Sequence, residues 1–445
     1  MKKYKKYNGL VRGIKILAFG AVMCVMCVIG LLWFLRPDTS VVEKRTLTSF
    51  PKLTWSSFWD GSYFSQIDTW YADTYPLRES LISANQSLQD HYGIRSNQIV
   101  GNTTVVADEI PEVGDTPSAA PSTAPSATPS PSPSPSEEPL EDGTISDIGE
   151  MQGNIYITDN SGYGLYYFNQ AGADSFIGTM NQFYENVKDK VNLYVMVIPI
   201  SAGVMLDQSV LDDMGSSDES KALDYIYGQL NAGIHTVSIF DNLKKHNAEY
   251  IFFHTDHHWT QLGAYYAYEV FCQEKGLTPH KLEDFETMEF DNFMGTFYSS
   301  SNQSQELASN PDTVTAYIPN GTNDMVMQMS DGAEYDWKII NDVSDYPSSE
   351  LYATFAGGDN PFSYAHNESI TDGSSVVVIK DSYGNAFIPW LVDHYEHIYW
   401  IDVRYTSNTI SQMVEDYGIQ DVIVALNIYN GSTDAVTGEL ANIGQ

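Results

Sequence analysis

A chain of 445 residues, 42% of them hydrophobic, can bury a sizeable core and form two or three domains. Its net charge is −36; seven basic and no acidic side chains give residues 1–37 a charge of +7, leaving −43 for the remainder. A field of that sign repels nucleic acid and anionic lipid headgroups, which argues against both as partners of the main body.

In chain order, the first predicted element is the uncharged, mostly apolar run Ile16–Leu35. Its length is about what a helix needs to cross ~30 Å of hydrocarbon. Lys2, Lys3, Lys5, Lys6, Arg12 and Lys15 precede it and only Arg36 follows closely, so the amino terminus is expected to stay cytoplasmic in a single-pass protein. A cleaved signal peptide is the competing reading; the length of the run and the lack of a small-x-small cleavage site after it favour an uncleaved anchor. Residues 1–37 are therefore read as tail and anchor. Residues 38–107 form an ordered extracytoplasmic segment, aromatic-rich from Trp55 to Trp70 and helically patterned through Leu81, Ile82, Leu88 and Tyr92. Residues 108–144 turn to Pro, Ser, Thr and Ala, with Pro129 to Pro135 alternating Pro and Ser; such a composition cannot bury a core and predicts an extended spacer.

From residue 145 to 445 the pattern is that of an α/β domain. Leu193–Ile198, Val376–Ile379, Ile398–Ile401 and Val422–Leu426 are short apolar runs suited to parallel strands buried on both faces. A helix is predicted over Gln261–Lys275, capped by Thr260 and ended by Gly276. Cys24 and Cys27 lie in the apolar run, so Cys272 has no disulfide partner in the rest of the chain; on the apolar face of that helix it reads as a buried hydrophobe.

Two clusters offer chemistry. Asp256-His257-His258-Trp259-Thr260 places a carboxylate and an imidazole two residues apart, where an extended segment projects both to one face. Ser382 follows the strand Val376–Ile379 and precedes Gly384, at the strand end where open α/β folds place their sites; backbone N–H groups of the following turn are candidates for an oxyanion hole. Ser382, His258 and Asp256 are the nucleophile, base and orienting acid of acyl transfer. Each also has an ordinary structural reading, as turn serine or satisfied core histidine. The rival chemistry is metal binding through His254, Asp256, His257 and His258, with His394 and His397 recruited in three dimensions; adjacent residues of a strand point oppositely, so His257 is expected to face away from Asp256 and His258, which works against all four sharing an ion.

His254 to Thr260, followed by Gly263-Ala264-Tyr265, resembles the DHHW protein family, itself similar to the alginate acetylation proteins with SGNH-hydrolase-like domains. Glu43–Pro51, Asp73–Arg78, Phe293-Met294-Gly295-Thr296, Ile379–Tyr383 and Ile401–Arg404 extend the resemblance over most of residues 40–430, interrupted by the Pro/Ser segment. The resemblance implies a three-layer α/β/α domain around a central, mostly parallel sheet. It also implies an extracytoplasmic serine O-acetyltransferase or acetylesterase acting on polysaccharide, with no cofactor and no metal. Asp256, His258 and Ser382 match the catalytic positions, and Arg404 and Tyr383 are the expected substrate contacts. A membrane-bound O-acyltransferase is the implied partner, with the Ile16–Leu35 helix keeping the domain beside it. The order differs from the familiar SGNH arrangement, since the Asp-His pair precedes the serine and no early Gly-Asp-Ser block is present, so the usual Gly and Asn oxyanion residues do not carry over. A glycan-binding or scaffold protein with a degenerate site is the non-enzymatic alternative.

Overall fold

The computed structural model describes residues 36–37, 39–40, 45–46, 48–53, 55, 62–76, 107–111, 140–147, 149–152, 155–431 and 433–445. The apolar run Ile16–Leu35, the helical pattern from Leu81 to Tyr92 and residues 112–139 of the Pro/Ser segment lie outside them. Among the described residues no helix is long and apolar enough to cross a membrane. The chain divides into two compact units, Met1–Ser96 and Asn97–Gln445.

In the first unit, β1 (Thr39–Ser40) pairs antiparallel with β2 (Arg45–Thr46), and α1 spans Ser62–Asp73. The Arg36 guanidinium lies 3.9 Å over the Trp70 ring and donates to Thr74 Oγ1 at 2.7 Å. Cation–π attraction and a charge-assisted hydrogen bond thus fasten the segment before β1 to the end of α1.

The second unit opens with a small antiparallel sheet of β3 (Glu150–Gln152), β4 (Ile155–Thr158) and β5 (Ser161–Gly164). Then come α2 (Gln170–Val187), β6 (Asn192–Ile198), β7 (His235–Thr236) and α3 (Gln261–Lys275). They are followed by the antiparallel pair β8 (Glu286–Phe293) and β9 (Asp312–Ile318), and by β10 (Asp324–Gln328), β11 (Glu334–Lys338), β12 (Phe362–His366) and β13 (Ser375–Lys380). The chain closes with α4 (Gly384–Leu391), β14 (His397–Asp402), α5 (Ile410–Tyr417), β15 (Asp421–Asn427) and α6 (Asp434–Ile443).

Eight strands form one mixed sheet in the order β11-β10-β12-β14-β13-β15-β6-β7. From β14 to β7 every pairing is parallel; β12, β10 and β11 continue the sheet antiparallel. The expectation of a mostly parallel sheet holds for the half that carries Ser382. Strands β10 and β11 escaped because Asp-Met-Val-Met-Gln carries only three apolar residues in a row and Glu-Tyr-Asp-Trp-Lys alternates charged with aromatic residues and is mostly exposed, so neither has a long apolar run to mark it.

Side-chain period two divides the core. Tyr194, Met196, Ile198, Val376, Val378, Ile398, Trp400, Ile423 and Ala425 face one layer, which holds α3 and α4. Leu193, Val195, Val197, Val377, Ile379, Ile401, Val422, Val424 and Leu426 face the other, with α2, α5 and α6. Each fully buried Val or Ile contributes roughly 1.5–3 kcal/mol relative to exposure, so the runs that marked these strands are also what hold the three layers together. The helix bounds match the prediction: Thr260 accepts the Gly263 N–H at 3.2 Å, and Gly276 ends α3 at φ 79°, a left-handed conformation that glycine adopts without steric cost.

Candidate active site

Ser382 sits in the turn between β13 and α4. β13 lies between β14 and β15, all three parallel, so Ser382 stands at the carboxyl edge of the sheet. The turn is pinned from beneath by Asp381, whose buried carboxylate accepts the Tyr383 N–H at 3.0 Å, the Asn427 N–H at 2.8 Å and the Asn430 side-chain amide at 2.7 Å. Burial pushes the Asp381 carboxyl upward, against those three donors.

The Asp256–His258 pair arrives on a loop rather than an extended strand. Phe252 bridges Trp259 in antiparallel fashion, and the Phe253 N–H donates to the His258 carbonyl at 3.2 Å, so residues 254–258 bend back on themselves. Asp312, buried at the start of β9, clamps the loop by accepting the His254 and Thr255 N–H groups at 2.8 and 2.7 Å and the Thr255 hydroxyl at 2.6 Å. This changes the expected disposition of His257, which does not point away. Its ring lies 3.8 Å from that of His258, and its Nδ1 is 2.6 Å from Thr296 Oγ1.

The loop and the turn meet in one hydrogen-bonded chain. His258 Nε2 is 2.9 Å from Ser382 Oγ, and His258 Nδ1 is 2.6 Å from Asp256 Oδ1. The carboxylate can only accept from Nδ1–H, so the neutral ring presents a lone pair to the serine hydroxyl. Asp256 Oδ1 also accepts the His258 N–H at 3.0 Å, and Oδ2 accepts the Thr296 N–H at 2.8 Å and its hydroxyl at 3.0 Å. Burial alone would raise the Asp256 carboxyl; the adjacent His257 and His258 imidazoles, the His258 hydrogen bond and the Thr296 N–H outweigh it and hold the group well below the usual carboxylate range. Because the Thr296 hydroxyl donates to Asp256, it must accept from His257 Nδ1–H. A Cβ on Gly295 would stand 2.2 Å from the Asp256 Cβ, so only glycine lets this segment approach.

Tyr352 completes the setting. Its ring stacks on His258 at 3.9 Å and 9°, and its hydroxyl donates to the Ser382 carbonyl at 3.0 Å. One buried side chain thus fixes the plane of the imidazole and the height of the serine turn. Burial, with Asp256 nearby, raises the Tyr352 phenol well above its ordinary value, so it stays a donor.

The other expected residues are placed as follows. Tyr383 is buried, and its hydroxyl donates to the His257 carbonyl, so its contact is with the His257 loop. The Arg404 guanidinium forms a fork on Asp402, at 2.8 and 2.7 Å, and reaches Asp359 at 2.8 Å; the Asp402 hydrogen bonds are the main reason its pKa is raised. Asp359 also accepts from Lys380 at 3.1 Å and from the Asn385 amide at 3.0 Å. Arg404 is thereby tied through Asp359 to the third residue after Ser382. The turn after the serine does not offer the expected oxyanion donors: the N–H groups of Tyr383, Gly384 and Asn385 already donate to Asp381 Oδ1, the Asp381 carbonyl and the Ser382 carbonyl. Asp256, His257 and His258 do converge within 4.8 Å, but both nitrogens of His258 and Nδ1 of His257 are engaged in the contacts above.

With this geometry in hand, comparison with known proteins decides the family. The model of the DHHW family, described as "DHHW protein", matches residues 43–117 and 137–401. The chain belongs to the DHHW family. A DHHW family protein from Eubacterium siraeum of known crystal structure is 28% identical, with a TM-score of 0.60, over 67% of this chain and 99% of that one. Two structures of Bacillus cereus PatB1, one with a sulfonyl adduct, share the fold at 18% and 20% identity and TM-scores of 0.53 and 0.54. Each covers 63% of this chain, and 97% and 98% of PatB1 respectively. A search of curated proteins by sequence finds no match.

The four residues that give the DHHW family its name now have physical positions. Asp256 orients His258, His257 reaches the Thr296 hydroxyl, His258 faces Ser382, and the Trp259 indole N–H donates to the Tyr383 carbonyl at 2.9 Å, joining loop to turn. Sequence reasoning missed the parts played by Thr296, Tyr352 and Asp312. Phe293-Met294-Gly295-Thr296 stood out only as a matching stretch, while Tyr352 and Asp312 lie in segments with no local signal.

Proposed function

We propose that this chain is an extracytoplasmic serine-dependent O-acetyltransferase, or acetylesterase, acting on a cell-surface or exopolysaccharide. The observation that carries the reading is the continuous Ser382–His258–Asp256 chain at the carboxyl edge of the parallel part of the sheet, with His258 within hydrogen-bond reach of both neighbours. That geometry is what a hydroxyl nucleophile needs in order to lose its proton as it attacks.

In the proposed reaction, His258 Nε2 takes the Ser382 proton while Oγ bonds to the acetyl carbonyl carbon of the donor. The carbonyl π pair moves to oxygen and returns as the donor's C–O bond breaks, and the leaving oxygen takes the proton from His258. A glycan hydroxyl then gives its proton to His258 and attacks the Ser382 ester. Breaking the bond to Oγ returns the proton to serine and leaves the acetyl group on the sugar; water in place of the sugar gives the esterase. Asp256 keeps the imidazole in the productive tautomer and stabilises the imidazolium, and Tyr352 holds its plane. By the resemblance stated for the sequence, a membrane-bound O-acyltransferase is the proposed acetyl source, Ile16–Leu35 the proposed anchor beside it, and Arg404 the proposed polar contact at the rim of the site.

Incubation with an acetyl ester and defined oligosaccharides tests this. Transfer to sugar that disappears in Ser382→Ala is expected. Equal transfer by Ser382→Ala would move the chain to metal-dependent chemistry, and no transfer by the wild type would move it to a purely binding role.

A further inference from the structure

A second cluster of ligating side chains lies at the opposite end of the sheet. His366 on β12 and His397 on β14 are direct cross-strand partners, and their rings stack at 4.7 Å and 14°. Both Nε2 atoms face the same oxygen: Glu396 Oε1 is 3.8 Å from that of His366 and 3.6 Å from that of His397, and one donor atom from each of the three residues lies within 4.8 Å of the others. The second carboxylate oxygen of Glu396 accepts the Gly373 N–H at 2.7 Å, which fixes the direction of the first.

We propose that His366, His397 and Glu396 form a binding site for a transition-metal ion of the Zn2+ class. Zn–N and Zn–O bonds of about 2.0–2.2 Å in tetrahedral geometry place ligand atoms roughly 3.3 Å apart. The carboxylate–imidazole spacings exceed that by only a few tenths of an ångström, within reach of small side-chain rotations. Two imidazoles and one carboxylate are the borderline ligand set that suits Zn2+, and they leave a fourth position for water. The Gly373 N–H holds the carboxylate as outer hydrogen bonds hold metal ligands generally. Access is open: His366 lines a concavity of about 570 Å3 with Asp324, Trp337, Tyr364 and Glu368, and the −43 charge on the bulk of the chain concentrates cations around it. His397 pairs with Ser375 at the beginning of β13, whereas Ser382 follows its end, so roughly 20 Å of extended strand separates this site from the serine. An ion here joins β12 to β14, the seam between the antiparallel and parallel parts of the sheet.

Metal-free full-length protein titrated with Zn2+ in a calorimeter tests the site. One ion per chain is expected, with at least about tenfold weaker binding in His366→Gln and in His397→Gln, and with the 15N imidazole resonances of His366 and His397 shifted by Zn2+ in the wild type. The NMR measurement stands even where a variant folds poorly. Two results would each overturn the proposal: no uptake by the wild type at about 100 μM, or unchanged binding in both histidine variants because the ion sits elsewhere, as at Asp256, His257 and His258.

Discussion

Thr296 holds the carboxylate end of the Ser382–His258–Asp256 chain without belonging to it. Its N–H and hydroxyl hold one oxygen of Asp256 while its hydroxyl oxygen faces His257. Thr296→Val keeps the N–H and the shape and removes the hydroxyl. Acyl transfer is expected to fall about tenfold, equivalent to ~1.4 kcal/mol of barrier, in kcat more than in KM and with the circular dichroism unchanged. Asp256→Asn is expected to cost far more, on the order of 10^3–10^4-fold, because an amide can donate to His258 Nδ1 and reverse the tautomer. The sequence displayed Asp256, His258 and Ser382, since their chemistry is in their side-chain types and their strand-end and cap context. It could not display the convergence of His257 with Thr296, because that depends on the bend at residues 254–258, and an alternating-strand argument sends His257 the wrong way.

At the level of elements, the same division recurs. The central strands and α3 were legible because full burial on both faces demands unbroken apolar runs, and because a cap threonine and a terminal glycine bracket the helix. Strands β10 and β11, the outermost pair of the antiparallel end, were not, since strands left partly exposed gain their stability from pairing that local sequence does not record. Thr260 serves two elements, accepting the Gly263 N–H of α3 and donating to the Tyr250 carbonyl at 2.8 Å. Thr260→Ala is predicted to destabilise the second unit by about 1 kcal/mol, the usual loss of an N-cap, measured as a shift in urea midpoint at constant slope. Behind Ser382, Lys380 and Asp402 form a fully buried pair at 3.0 Å. Lys380→Met removes one of the two cations, Lys380 and Arg404, that hold Asp402 and Asp359, and a loss of about 3 kcal/mol or more is expected by the same measurement.

For the whole molecule, stability in mild acid is set partly by His394, whose Nε2 accepts from the Tyr268 hydroxyl at 2.6 Å beside the His280 ring. Burial first, and His280 second, lower its pKa from 6.5 to about 4. Between those values the unfolded chain binds a proton that the folded chain refuses. Its contribution is therefore complete above pH 6.5 and is lost as the pH falls towards 4. Denaturation midpoints of the wild type should decline across that window, and His394→Gln should flatten the decline; equal slopes in the two proteins would remove His394 as the cause. The central claim, that Ser382 carries the acyl group, has its most direct test in the intact protein. After brief exposure to an activated acetyl ester, mass spectrometry of the digested chain should find one acetyl group on the Ser382 peptide. The adduct should be absent in Ser382→Ala and form much more slowly in His258→Ala. Acetyl transfer to a glycan with no adduct at Ser382 under rapid quenching, or an adduct that persists in Ser382→Ala, would contradict the account.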